Sequence, residues 1–111
     1  MNKEQQELID EVYEKYSIIA GMSTQVITLT KEEFINKIKT DPEFSKTWEL
    51  KIEERELSLK ERRDIAKIKL NREEWIDVMF LAHFKETYDK YTIPTKLITI
   101  TYNNKTIESY E

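Results

Sequence analysis

The spacing of apolar and polar positions divides the chain into helical and extended segments. Over residues 3–20 the apolar residues recur at steps of three and four, which predicts an amphipathic helix. Gly21 follows this segment and suits the left-handed residue that often closes a helix. Residues 23–29 are rich in Thr, Val and Ile and predict a strand. Residues 50–57 alternate only in part, which indicates a loop or a short edge strand.

Polar side chains that cap helices mark where the later helices begin. Thr30, Ser58 and Asn71 are each followed three residues later by a glutamate, which is the pattern of a capping box. Asp41-Pro42 predicts a further, short helix, because proline suits the first helical position. The caps at Ser58 and Asn71 therefore predict two consecutive helices joined by a very short turn.

The segment of residues 72–91 is predicted to be one long helix and the central element of the fold. Within residues 75–84 only Asp77 and His83 are polar, so nearly every side of this helix should be covered by the rest of the protein. We therefore expect its large side chains to lie in the core, namely Trp75, Met79, Phe80 and Phe84.

The C-terminal segment predicts a β-hairpin. Asn103 and Asn104 both tolerate positive φ, as a two-residue hairpin turn requires, and they separate residues 96–102 from residues 105–110. The predicted fold class is α+β, with four or five helices packed on a small antiparallel sheet. The chain should form a single domain over residues 1–111.

Composition limits the possible functions. Charged residues make up 36% of the chain, but their signs are mixed and the net charge is only −4. With six Tyr, four Phe and two Trp to bury, the chain is predicted to be globular. The absence of cysteine excludes a disulfide framework, a thiolate nucleophile and a cysteine-ligated zinc site. With one glycine in the sequence, the glycine-rich loops that bind phosphates and dinucleotides are absent as well.

Location and origin also follow from composition. The first residues predict an amphipathic helix rather than a secretory signal, and no apolar run approaches the roughly 20 residues of a membrane span. We therefore expect a cytoplasmic protein that makes no contact with membranes. The acidic balance argues against nucleic acid as a partner. The bias toward Lys, Ile, Glu, Asn and Thr is typical of AT-rich genomes, including those of many phages, and favours a phage or mobile-element accessory protein.

Residues 57–91 resemble the last two helices of a homeodomain-like helix-turn-helix. The resemblance lies in the spacing of six apolar residues that fall in core positions of that motif: Ile65, Ala66, Ile76, Val78, Met79 and Phe80. It implies a DNA-binding protein whose second helix enters the major groove.

The charges of these two helices differ in sign. Residues 72–91 carry three Lys and Arg against five Asp and Glu, a balance of −2 that phosphate repels. Residues 58–70 carry five against two, a balance of +3, and could form a basic patch with Arg62, Arg63 and Lys67. Because a charged helix face is usually only solvated, a degenerate helix-turn-helix protein that binds DNA or a DNA-bound complex is the alternative function and not the first choice.

Four carboxylates resemble the paired acidic motif of the all-α nucleotide pyrophosphohydrolases related to MazG. In that family two helices direct four carboxylates at Mg²⁺ ions that bind the triphosphate. The resemblance implies metal ligands at Glu53, Glu56, Glu74 and Asp77. The first pair lies in a polar segment without a helical period, so this enzyme is the second alternative. We expect a protein that is not an enzyme and holds no cofactor or metal.

Protein binding is the function that the sequence favours. Tyr and Trp exceed what a small core usually needs, and both are common at protein interfaces. The terminal hairpin should also leave a free strand edge, which can pair with a partner protein or with a second copy to give a homodimer. The predicted binding residues are Arg62, Arg63, Lys67, Tyr102 and Tyr110.

Overall fold

The protein combines several short helices with a small sheet. The computed structural model describes residues 1–23 and 27–111. In that part of the chain the helices are α1 (Lys3–Gly21), α2 (Lys31–Thr40), α3 (Pro42–Trp48), α4 (Leu59–Lys69), α5 (Arg72–Leu81) and α6 (Lys85–Lys90). The strands are β1 (Leu50–Glu56), β2 (Lys96–Tyr102) and β3 (Lys105–Tyr110). The predicted α+β class is confirmed. Among these helices none is both long and apolar enough to cross a bilayer.

The three strands form one antiparallel sheet in the order β1-β2-β3. Asn103 and Asn104 join β2 to β3 with φ angles of 51° and 64°, the positive values of a type I′ turn. At the open end of the hairpin, Lys96 and Glu111 each donate a backbone N–H to the other's carbonyl. The strand pairing that a two-residue turn sets is therefore kept to the end of the hairpin. This confirms the predicted hairpin.

β1 is an edge strand, which is one of the two possibilities predicted for residues 50–57. Leu50 and Ile52 point into the core, and the residues from Glu53 to Glu56 are exposed and charged. Charged side chains along an edge discourage pairing with other chains. The strand has seven residues and is longer than a short edge strand.

Capping boxes begin four of the helices. Thr30, Ser58 and Asn71 accept hydrogen bonds from the backbone three residues later, and the glutamate at that position accepts one in return. These three boxes were predicted and are confirmed. A fourth box, between Asn2 and Gln5 at the start of α1, was not predicted.

Two predictions near the end of α1 differ from the structure. Gly21 is the last residue of the helix and does not adopt a positive φ, so the predicted left-handed closing residue is wrong. Ser23 and residues 27–29 lie outside any strand. The rest of the strand predicted at residues 23–29 falls at residues 24–26, outside the described residues.

The first of two compact units contains Met1–Glu54 and Ile98–Ser109. Its core is formed by Ile9, Val12, Tyr16, Ala20, Phe34, Ile38, Leu50, Ile52, Ile98 and Ile100. Gln5 is the polar residue buried among them, and its Nε2 donates to the carbonyls of Ile98 at 3.0 Å and Ile107 at 2.9 Å. These two bonds satisfy the buried amide group and tie α1 to the hairpin.

The second unit contains Arg55–Leu97 and Tyr110–Glu111, and it includes α4, α5 and α6. Its buried core is small and consists of Ala66, Val78, Tyr88 and Ile93, with Ile65, Leu70, Trp75, Ala82 and Tyr91 packed partly against it. The largest of the four buried residues is Tyr88, whose hydroxyl donates to the carbonyl of Ala82 at 2.7 Å. Burial raises the pKa of this hydroxyl.

Residues 72–91 do not form the single helix that was predicted. α5 ends at Leu81, a turn follows, and α6 begins at Lys85. The chain turns here because Tyr88 and Ile93 fill the core of the second unit beside Ala66 of α4. The division of the predicted helix accounts for six helices in the described residues instead of four or five.

The predicted single domain can be tested with the two tryptophans. Trp48 packs against the core of the first unit and Trp75 against the core of the second. In Trp75→Phe and Trp48→Phe variants, the remaining tryptophan reports on one unit only. For each variant, we expect the urea unfolding curve from tryptophan fluorescence to coincide with the curve from far-UV circular dichroism of the same variant, as in a two-state domain. A circular dichroism curve with two transitions, of which the fluorescence follows only one, would contradict the single domain.

Candidate functional site

A group of large apolar side chains lies exposed on α5 and just beyond its end. It consists of Ile76, Met79, Phe80, Leu81 and Phe84, which we call the α5 apolar face. Phe80 is 78% exposed and Met79 is 54% exposed. Residues three and four apart on a helix are neighbours, so Ile76, Met79 and Phe80 form a continuous surface. Single exposed apolar residues are ordinary, but a group of five is a feature of binding surfaces.

The prediction that Met79, Phe80 and Phe84 lie in the core is wrong, because all three are exposed. Trp75, the fourth residue of that prediction, is half-buried against the core of the second unit. α5 contributes one fully buried residue, Val78, because the core on that side is already filled by Tyr88 and Ile93 of the following segment.

A surface depression of about 370 Å³ adjoins this face between α4 and the end of α5. Its apolar lining comes from Leu59, Ala82 and Tyr88, and its polar lining from Lys60, Arg63 and His83. The ring of His83 contacts the ring of Phe84, with 4.1 Å between their centroids. The depression therefore combines an apolar lining with cationic side chains, next to an exposed aromatic residue.

Arg62, one of the predicted binding residues, is only 2% exposed. Its Nε donates to the carbonyl of Pro94 at 3.0 Å, and its Nη2 donates to the carbonyl of Ile93 and to a carboxylate oxygen of Asp89, both at 2.8 Å. The guanidinium also lies over the ring of Tyr88, with 5.4 Å from Cζ to the centroid. Arg62 therefore stabilises the second unit from inside, and its burial removes it from any binding surface.

The other predicted binding residues remain at the surface in different places. Arg63 and Lys67 are exposed and lie one turn apart on α4. Tyr110 is exposed and lines a separate depression with Ile68 of α4. Tyr102 belongs to the first unit, where it packs partly against the core and accepts a hydrogen bond from Lys15 at 3.2 Å. The structure thus brings Arg63 and Lys67 together, and their role in binding stays a prediction.

The four carboxylates of the MazG-like pattern lie on a strand and a helix, not on two helices. Glu53 and Glu56 belong to β1, where a spacing of three directs side chains to opposite faces. The carboxylate of Glu74 accepts the backbone N–H of Asn71 in a capping box. Among the described residues, no group of three or more His, Cys, Asp or Glu is placed to hold a metal ion.

Asp77, the last of these carboxylates, is engaged within the second unit. Its carboxylate accepts a hydrogen bond from the hydroxyl of Tyr91 at 2.5 Å, and Lys90 lies 3.5 Å away. The hydrogen bond from Tyr91, together with the charge of Lys90, lowers the pKa of Asp77. Asp77 thereby joins α5 to the end of α6.

A depression in the first unit has a volume of about 560 Å³ and lies between the α2–α3 segment and β1. Ile38, Pro42 and Leu50 supply its apolar lining. Its charged rim is partly neutralised internally, since Lys51 pairs with Glu53 at 2.9 Å. It lacks an exposed aromatic group comparable to the α5 apolar face, so the second unit carries the stronger candidate.

Comparison of the chain with protein-family models, curated proteins and solved structures gives no significant match.

The position of Phe80 makes a prediction about stability. Phe80→Ala should change the free energy of unfolding by no more than about 0.5 kcal/mol, because an exposed side chain loses few contacts. Val78→Ala on the same helix should cost about 2–3 kcal/mol, because it removes two buried methyl groups and leaves a cavity. Urea unfolding followed by Trp75 fluorescence measures both values. A larger loss for Phe80→Ala than for Val78→Ala would contradict the exposed position of Phe80.

The carboxylate positions make a prediction about enzymatic activity. Incubated with nucleoside triphosphates and Mg²⁺ or Mn²⁺, the protein should release no pyrophosphate above the buffer control, because Glu53 and Glu56 point to opposite faces of β1. A coupled pyrophosphate assay measures this. Release of pyrophosphate that both Glu74→Gln and Asp77→Asn abolish would contradict the prediction and support the pyrophosphohydrolase alternative.

Proposed function

We propose that this chain is a non-enzymatic protein that binds another protein through the α5 apolar face. The observation that carries the proposal is the exposure of Phe80 and its neighbours on a helix whose one buried residue is Val78. Exposing apolar surface to water costs about 25 cal/mol of free energy per Å². A partner that covers this surface recovers that free energy. Aromatic and methionine side chains are enriched at interfaces that work in this way.

The helix itself supports a partner on its outer side. From Trp75 to Leu81, α5 is apolar at every position but Asp77, a composition that suits a helix segment covered by neighbours all round. Its inner side packs against the core of the second unit through Val78, Trp75 and Ala82. The partner would supply the cover that the outer side lacks.

The DNA-binding alternative places the same helix in a major groove. There the outward side chains should donate hydrogen bonds to base edges and phosphates. On α5 the outward positions are occupied by Ile76, Met79 and Phe80, with Arg72 and Glu73 one turn before Ile76. Three apolar groups donate no hydrogen bond to a base, and the charge of Arg72 is offset by that of Glu73, so we favour protein over DNA as the partner.

The proposed compartment and origin of the protein rest on its amino-acid composition. We propose a cytoplasmic role as a phage or mobile-element accessory protein, on the basis of the missing cysteines and the amino-acid bias. A homodimer through the edge of β3 is part of the same proposal, because β3 ends the sheet in the order β1-β2-β3.

Photo-crosslinking at Phe80 tests the proposal. A photoreactive phenylalanine analogue at position 80 replaces an exposed aromatic residue, so the fold should be retained. After irradiation in cells of the native host, we expect an adduct that protease removes and nuclease does not. The matched control places the same analogue at Ile68, which is 87% exposed on α4 but lies outside the α5 apolar face.

Two results would contradict the proposal. One is an adduct at position 80 that nuclease removes, which would favour the DNA alternative. The other is an equal yield of adducts at positions 80 and 68, or no adduct at either, since the α5 apolar face would then have no specific partner.

A further inference from the structure

The depression beside the α5 apolar face indicates the chemistry of the partner. We infer that the partner presents a peptide segment in which acidic residues alternate with large apolar residues. This inference rests on the proposed function, because it assigns a ligand class to the same surface. The observation behind it is the combination of apolar and cationic side chains in one depression.

The cations near this surface form no ion pair within the part of the chain that the structure describes. These cations are Lys60, Arg63 and Lys67 of α4. Of the other 15 lysines and arginines, nine form an ion pair, for example Lys39 with Glu54 at 2.6 Å and Arg55 with Glu61 at 2.8 Å. Residues 60–67 carry four Lys and Arg against two Asp and Glu, a balance of +2 in a chain whose net charge is −4.

The spacing of the three cations places them along one side of α4. Lys60 and Arg63 are three residues apart, and Arg63 and Lys67 are four residues apart. Like charges at these spacings repel. Acidic groups on a partner would remove this repulsion and add attraction.

The depression suggests how such a segment would bind. A large apolar side chain would enter between Leu59, Ala82 and Tyr88, where the lining is apolar. A carboxylate near it in the segment would reach Lys60 and Arg63, which border the same depression. Further apolar side chains of the segment would cover Phe80 and Phe84.

A second copy of this chain fits the surface less well. In a two-fold symmetric dimer the same patch packs against itself. The cations of Lys60 and Arg63 would then approach the same cations of the second copy, and like charges across an interface repel. A nucleic acid would satisfy the cations but would leave the aliphatic side chains of Ile76 and Met79 against phosphate and sugar.

Selection from a random-peptide display library, with the full chain as bait, tests the inference. We expect the enriched peptides to carry acidic and large apolar residues together. Their affinity, measured by fluorescence polarisation with a synthetic copy of one enriched peptide, should fall on adding salt. The double variant Lys60→Glu/Arg63→Glu should weaken binding by about tenfold or more.

A matched control separates the local effect from net charge. Lys3→Glu/Lys46→Glu makes the same change in net charge with two exposed lysines of the first unit. This control should bind the peptide almost as tightly as the unaltered chain. Circular dichroism of each variant verifies that the fold is retained.

The outcomes distinguish the inference from the proposed function. Phe80→Ser could abolish binding of the enriched peptides while Lys60→Glu/Arg63→Glu leaves it unchanged. That result would overturn the inference of an acidic partner and leave the proposed function in place. A library that yields no binder sensitive to Phe80→Ser would overturn both. A concentration-dependent dimer in sedimentation velocity that Phe80→Ser abolishes would assign the surface to a second copy and overturn the inference.

Discussion

The buried guanidinium of Arg62 holds the second unit in its present arrangement. It satisfies the carbonyls of Ile93 and Pro94, which belong to the segment that follows α6, and it pairs with Asp89. A buried cation without such bonds would be strongly destabilising, so the segment after α6 must run beside α4. Tyr88 and Ile93 thereby fill the space next to Ala66, and α5 is left with one side on the core and one side in water.

Features that depend on a few neighbouring residues were predicted well from the sequence. The capping boxes at Thr30, Ser58 and Asn71 need only a cap and a glutamate three residues later, so local chemistry determines them. The same holds for Asn103-Asn104, where two residues that tolerate positive φ select the turn and with it the register of the hairpin.

Features that depend on distant parts of the chain were not predicted. Apolar residues on every side of α5 indicate that the helix should be covered, but they do not distinguish cover by the same chain from cover by a partner. Arg62 has the sequence context of a surface cation, and its burial follows from carbonyls some thirty residues later, at Ile93 and Pro94. Arg63 and Lys67, which lie in the same predicted patch, do remain at the surface.

The candidate site could be anticipated only in part for the same reason. The charges of α4 predicted its basic patch. They did not predict which residues lie beside that patch, because the depression forms where Leu59 and Lys60 meet the turn after α5. That turn exists because Tyr88 folds back onto the core. A signal was present in the sequence: a helix with six large apolar residues within Trp75–Leu81 exceeds what a unit of this size can enclose.

The exposure of the α5 apolar face also bears on the colloidal behaviour of the isolated protein. At neutral pH the net charge of −4 keeps the molecules apart through mutual repulsion. Added salt shortens the range of this repulsion to about 3 Å at 1 M, while the attraction between apolar surfaces persists. We therefore expect concentrated salt, and kosmotropic sulfate above all, to promote self-association through the surface around Phe80, and dilute buffer well above the isoelectric point to oppose it.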